Sequence, residues 1–278
     1  MSAASAVAHV AEHLLPVLPP ASHGPLSELV GTVAYLVATR ERDAVRANLA
    51  VTAPGRPASA RRVFVNQVLQ YLEVFHIPRL DRRRFERRVR VEGWERFECA
   101  HRLGKGVIFA SAHFGPIALV GQVLVTRGYS LTLPIEPADS ELMRAVNRAR
   151  SAQGFHLVPI SAAVGMHRVL RQGGVLGVLA DRAVSGVGER VPFFGRPTLL
   201  PSAHIALALR TGAACLPAFT WREDGLLRAT IEEPLKLRPT GDHDADIREG
   251  VRRFAERLET HVRRFPEQWT VFERMWPG

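Results

Sequence analysis

One histidine stands where a short apolar run gives way to a helix signal. Val107–Ala112 (VIFASA) leads into Ser111-Ala112-His113-Phe114-Gly115-Pro116. Imidazole exchanges protons near neutral pH, so a histidine fixed at a strand end is a candidate general base. Pro116 suits a first helical turn, and Gly115 lets a ligand approach the backbone closely. The N-terminus of the following helix disfavours imidazolium and keeps His113 neutral. Nearby backbone N–H groups are placed to meet an oxyanion. A lone histidine of this kind is more often a satisfied polar residue than a catalytic one.

Other strand ends carry charge too. Leu131–Ile135 runs into Glu136, and Val175–Ala180 (VLGVLA) runs into Asp181-Arg182. In a parallel sheet these positions gather on one edge with His113, the edge where open α/β sheets bind ligands. The competing reading is helix caps or mutual ion pairs. Ser111 lies two residues before His113 and shares its face if the strand continues, which offers a Ser–His dyad or merely a strand cap. His204, just inside a capped helix, reads as packing or surface. Gly104-Lys105-Gly106 precedes a strand and is not a phosphate loop, and no nucleophile elbow, HExxH or P-loop motif occurs.

The elements that must position these residues follow from periodicity and breakers. The segment 1–100 reads as helical. Ser27–Arg40 has an apolar stripe through Leu29, Val33 and Leu36, and Ala58–Phe75 has one through Phe64, Val68, Leu72 and Phe75, with a Pro/Gly loop between them. Beyond Gly106, strands alternate with helices. Strands are expected at Val107–Ala112, Ser130–Ile135, His156–Pro159, Val175–Ala180, Cys215–Thr220 and Leu227–Ile231. Helices are expected at Pro116–Arg127, Ser140–Gln153, Ser161–Gln172, Ser202–Arg210 and Ile247–Phe265. That alternation predicts an α/β fold, a largely parallel central sheet flanked by helices, with a helical N-terminal portion packed on it as one domain over 1–278.

Composition narrows the function classes. The chain has 278 residues, 46% hydrophobic and 23% charged, which are globular proportions. No apolar run reaches the roughly 18 residues of a membrane span, and no signal-peptide pattern is present, so a cytoplasmic location is expected. Cys99 and Cys215 carry no metal-ligand spacing, so neither a metal nor a disulfide scaffold is expected. The net charge of +10 rests almost wholly on arginine, and Arg79–Arg90 (RLDRRRFERRVR) holds seven of them. Such a cluster suits a solvated face, an anionic membrane surface or an acidic carrier protein. Without stacking aromatics or a recognition motif, nucleic acid is not an expected partner.

Several landmarks recur in a fixed order: Gly106–Gly115 (GVIFASAHFG), Leu179–Arg182 (LADR), Val191–Gly195 (VPFFG), Pro197–Pro201 (PTLLP) and Pro266–Trp269 (PEQW), then Arg274 and Trp276. Together they resemble the lysophospholipid acyltransferase superfamily, in its branch of bacterial lipid A biosynthesis acyltransferases and phosphatidylinositol mannoside acyltransferases. The resemblance spans about Arg90 to the C-terminus and includes the Asn48 segment. It implies metal-free, cofactor-free acyl transfer from an acyl-CoA or acyl-carrier-protein thioester to a glycolipid hydroxyl at the inner membrane face. His113 matches the histidine of the family's H-x4-[D/E] motif and is implied as general base, with Phe114 and Gly115 in the substrate site.

The motif acid should stand at Ala118. Glu136 and Glu189 are the favoured substitutes. Asp181 is expected instead to pair with Arg182 or Arg150, and Arg150 to neutralise a phosphate or thioester-borne charge. The missing acid keeps two alternatives open: a repurposed member that acylates, condenses or cyclises a carrier-bound intermediate, and a non-catalytic lipid or carrier binder.

Overall fold

The computed structural model describes residues 11–184 and 186–276. Short β-branched and leucine-rich runs form β1 (Val89–Glu92), β2 (Val107–Ser111), β3 (Leu131–Ile135), β4 (Phe155–Pro159), β5 (Val175–Leu179), β8 (Ala214–Glu223) and β9 (Leu226–Ile231). They make a seven-stranded sheet in the order β1-β9-β8-β2-β5-β3-β4. The run from β8 to β4 is parallel throughout, whereas β9 returns antiparallel to β8 and carries β1 parallel to itself. Every residue of β2 is buried, as expected for a central strand covered on both faces. The expected α/β class with a largely parallel sheet is what forms.

Eleven helices of four or more residues pack around the sheet among the described residues: α1 (His23–Val37), α2 (Thr39–Thr52), α3 (Ala60–His76), α4 (Arg82–Arg88), α5 (Trp94–Arg102), α6 (Ile117–Val120), α7 (Gln122–Thr126), α8 (Glu141–Ser151), α9 (Ala163–Arg171), α10 (Ala203–Thr211) and α11 (His243–Arg264). The longest, α11, starts at an Asp242 cap whose carboxylate accepts from the Ala245 N–H. It buries Ile247, Val251, Phe254, Leu258 and Val262 against the sheet, which is the periodic stripe read from the sequence. No helix among the described residues is long and apolar enough to cross a membrane.

Four local expectations are corrected. The segment 1–100 is not wholly helical, because Val89–Glu92 adds β1 to the sheet edge beside β9; its alternation is too short and too charged to signal a strand. In α1 the stripe of Leu29, Val33 and Leu36 is exposed (65%, 52% and 61%), not buried. The small side of the helix, Ser27 and Gly31, faces α3 instead. A Cβ on Gly31 would come within 2.6 Å of the Val65 backbone, so close packing selects that face. The helix expected over Pro116–Arg127 is broken at Gly121 into α6 and α7, where a Cβ would sit 3.1 Å from the Phe155 ring. Finally, Glu189–Phe193 and Arg196–Leu200 form an unforeseen hairpin, β6–β7. Its turn is Phe194-Gly195, both left-handed (φ 53° and 71°), and Pro192 and Pro197 lie opposite each other in a two-stranded ribbon that tolerates their missing donors.

Candidate active site

The register of β2 and β5 places the site. Ser111 pairs with Leu179, and the ladder continues through the Ala180 N–H to the Ser111 carbonyl at 2.8 Å. Two residues beyond each strand, His113 and Asp181 therefore meet side by side. The His113 ring donates from Nδ1 to Asp181 Oδ1 at 2.9 Å, and the His113 backbone N–H donates to Asp181 Oδ2 at 3.0 Å. Trp269 Nε1–H donates to the same Oδ2 at 2.9 Å. An ionised carboxylate only accepts, so the imidazole proton sits on Nδ1 and Nε2 holds a free lone pair.

Asp181 is completely buried. Burial alone pushes its carboxyl up, but its electrostatic pairing with His113 and the hydrogen bonds from the His113 ring, Trp269 and the His113 backbone outweigh it. The net direction is below the ordinary aspartate value, so the group stays ionised. The His113 side chain is 31% exposed, and its Nε2 makes no hydrogen bond to the described residues. A buried anion behind a neutral imidazole with one nitrogen turned outward can accept a proton and stabilise the resulting cation.

A C-terminal segment supports this pair from beneath. The Thr270 N–H donates to the His113 carbonyl at 2.8 Å, Phe114 bridges Trp269, and the Gly115 N–H reaches the Gln268 carbonyl at 2.9 Å. Asn48 anchors the same segment, donating to the Val271 and Glu273 carbonyls and accepting from the Met275 N–H. Gly115 has φ +58°, and a Cβ there would fall 2.0 Å from the Thr220 carbonyl oxygen. Its glycine thus lets the β8 backbone approach closely.

The remaining expected site residues lie as follows. Asp181, not Glu136 or Glu189, is the acid in contact with His113. The strand order β2-β5-β3 explains why: Asp181 ends the neighbouring strand, whereas Glu136 follows β3, one strand further away. Glu136 is exposed, and Glu189 pairs with Arg248 of α11 at 3.1 Å. Asp181 pairs with neither arginine. Arg182 binds Glu273 through two contacts of 2.9 and 3.3 Å, while Arg150 is half-buried and interacts electrostatically with Tyr71, its Nε unpartnered among the described residues and its guanidinium pushed down by burial. Ser111 Oγ is buried and bonds to nothing described, so no Ser–His dyad forms. The Phe114 ring is fully buried toward His261.

The expected oxyanion donors are also taken. The N–H groups of His113, Phe114 and Gly115 bond to Asp181, the Ala112 carbonyl and the Gln268 carbonyl. Trp269 and Thr270 are participants that the sequence did not single out by role; Trp269 stood in the recurring Pro266–Trp269 motif, and Thr270 carried no signal. Among the described residues, no group of three His, Cys, Asp or Glu is arranged to hold a metal.

The model of the bacterial lipid A biosynthesis acyltransferase family covers residues 5–277, and the chain belongs to that family. It is 28% identical over 212 residues to a phosphatidylinositol mannoside acyltransferase of Mycobacterium tuberculosis (strain ATCC 25618 / H37Rv), a match covering 73% of this chain and 66% of the relative. A phosphatidylinositol mannoside acyltransferase of Mycolicibacterium smegmatis is 24% identical over 245 residues, 84% of this chain and 78% of that one. The chain thus spans 66% of the length of the mycobacterial relative first named.

Proposed function

We propose that the protein is an acyltransferase that moves an acyl group from a thioester, acyl-CoA or acyl carrier protein, to a hydroxyl of a lipid or glycolipid, with His113 as general base. The acceptor hydroxyl gives its proton to His113 Nε2 as its oxygen attacks the thioester carbonyl carbon. The C–S bond then breaks, and the departing thiolate takes the proton back from the imidazolium. Asp181 holds the Nδ1–H tautomer and stabilises the transient cation; in comparable triads such a carboxylate is worth about 10⁴-fold in rate. The observation that carries this reading is the buried Asp181 carboxylate on Nδ1 with Nε2 left outward. Family membership and the named activity of the mycobacterial relatives support it.

A lipid acceptor is supported by apolar residues exposed around the same sheet edge: Ile160 after β4, Leu179 at the end of β5, and Val184 and Val187 in the loop beyond Asp181. The arginines on the outer face of α4, Arg83 and Arg87, suit contact with an anionic membrane surface. The absence of an acid at Ala118 was one ground for expecting a repurposed activity, and the Asp181 carboxylate on His113 weakens that ground.

The test is product analysis. The protein is incubated with a panel of acyl-CoA and acyl-carrier thioesters, with and without phosphatidylinositol mannoside or other glycolipid acceptors, beside His113→Ala. Acceptor-dependent thioester consumption that disappears in the variant is expected. Consumption that ignores the acceptor, or that survives in His113→Ala, contradicts the reading.

A further inference from the structure

Away from the His113 site, α3, α4 and the start of α1 wall a cavity of about 670 Å³, a volume typical of small-molecule sites. Four arginines line it: Arg79, Arg84, Arg88 and Arg222. Only two carboxylates answer them. Arg222 is bonded to the buried Glu73, and Arg84 Nε lies 3.6 Å from Asp81. Arg79 and Arg88 form no ion pair among the described residues. Arg88 is nevertheless close enough to act electrostatically on both His23 and Glu73. Burial pushes the Glu73 carboxyl up against the pull of Arg222, to which it remains bonded.

Two imidazoles complete the polar side. His23 is buried and meets His76 edge-on, ring centres 5.5 Å apart. His23 Nε2 and His76 Nδ1 are buried with no hydrogen-bond partner among the described residues. Unpaired buried polar atoms are rare and call for a reason. Phe85 and Leu119, also in the lining of the cavity, supply apolar surface. The spacing on α4 divides its arginines by face: Arg84 and Arg88 line this cavity, whereas Arg83 and Arg87, with Glu86, line a separate outer surface.

We propose that this cavity binds the phosphate or pyrophosphate group of a small molecule, with Arg79 and Arg88 holding the anion, His23 and His76 as its polar floor, and Phe85 and Leu119 against the adjoining part of the ligand. Guanidinium groups match phosphate oxygens in geometry as well as charge. Uncommitted cations beside unpaired imidazoles leave a site whose polar groups are completed by an anion. The assignment does not depend on the chemistry at His113.

Isothermal titration of the full-length protein with pyrophosphate at low salt tests it. Wild type and His113→Ala are expected to bind alike, while Arg79→Ala/Arg88→Ala raises Kd at least tenfold and Arg83→Ala/Arg87→Ala leaves it unchanged. Adenosine diphosphate and phosphatidylglycerol vesicles then separate the sources of the phosphate. Binding of the nucleotide at least tenfold tighter than pyrophosphate assigns a nucleotide phosphate, and displacement of pyrophosphate by the vesicles assigns a lipid headgroup. No saturable binding, or equal weakening by the two double variants, overturns the proposal, since the latter reports diffuse surface charge. Because all four substituted arginines are exposed except for their contacts to the cavity or surface pocket, unchanged unfolding profiles are expected and serve as the folding control.

Discussion

His113 and Asp181, 68 residues apart in the chain, stand at the same level of neighbouring parallel strands, each two residues past the last paired position. One register sets both the ring contact and the backbone contact between them. The carboxylate accepts three hydrogen bonds while fully buried, and the only groups that supply them are His113 and Trp269.

The proposed function makes Trp269 a positioning residue, through its hydrogen bond to Asp181. Trp269→Phe keeps most of the ring and deletes the N–H that holds Asp181 Oδ2. Steady-state kinetics are expected to show kcat lower by roughly 10-fold with KM little changed, the scale on which orienting partners act. Because the lost bond favours the ionised carboxyl, the acid limb of the kcat–pH profile should move to higher pH. A fall in stability with an unmoved pH profile would reduce Trp269 to packing.

Gly115 is required for the close approach to Thr220. Gly115→Ala places a Cβ 2.0 Å from a carbonyl oxygen at φ +58°, so urea unfolding should show a loss of at least about 3 kcal/mol. Gly128→Ala is the control: its φ is +86° but the space around it is open, and a loss of only about 1 kcal/mol is expected. Equal losses would show that backbone conformation alone, not the contact, sets the cost.

His204 makes stability depend on acid. It is fully buried against Phe254, and burial pushes its pKa down to about 3 from 6.5. The unfolded chain binds a proton that the folded chain refuses between those values. Stability contributed by the neutral ring is therefore complete above pH 6.5 and is lost as pH falls toward 3, by about 1.4 kcal/mol per pH unit. In His204→Leu, chemical unfolding across this window should lose that slope. An unchanged acid limb would place the proton uptake elsewhere.

Much of this architecture was legible from local patterns, and what was not has a common cause. The apolar runs ending at Ser111 and Leu179, and the stripe from Ile247 to Val262, are dictated by short-range periodicity and appear as strands and a helix. His113 could be singled out because strand ends share an edge. Which acid adjoins it depends on strand order, and nothing local shows that β5, not β3, neighbours β2. Choosing Glu136 over Asp181 was a choice between strands without their order. The exposed stripe of α1 fails in the same way: hydrophobicity favoured Leu29 and Val33, whereas close backbone packing at Gly31 decided the face. The β6–β7 hairpin was hidden by two prolines that are harmful only in a central strand.

In the proposed reaction Asp181 serves His113 in acyl transfer. The most direct measurement is thioester-dependent acyl transfer by Asp181→Asn beside Glu136→Gln and Glu189→Gln, each verified as folded. Asp181→Asn is expected to lose about 10²- to 10⁴-fold in kcat, approaching His113→Ala, while the two glutamate variants stay within about threefold of wild type. Activity retained in Asp181→Asn but lost in Glu136→Gln or Glu189→Gln would contradict that role of Asp181.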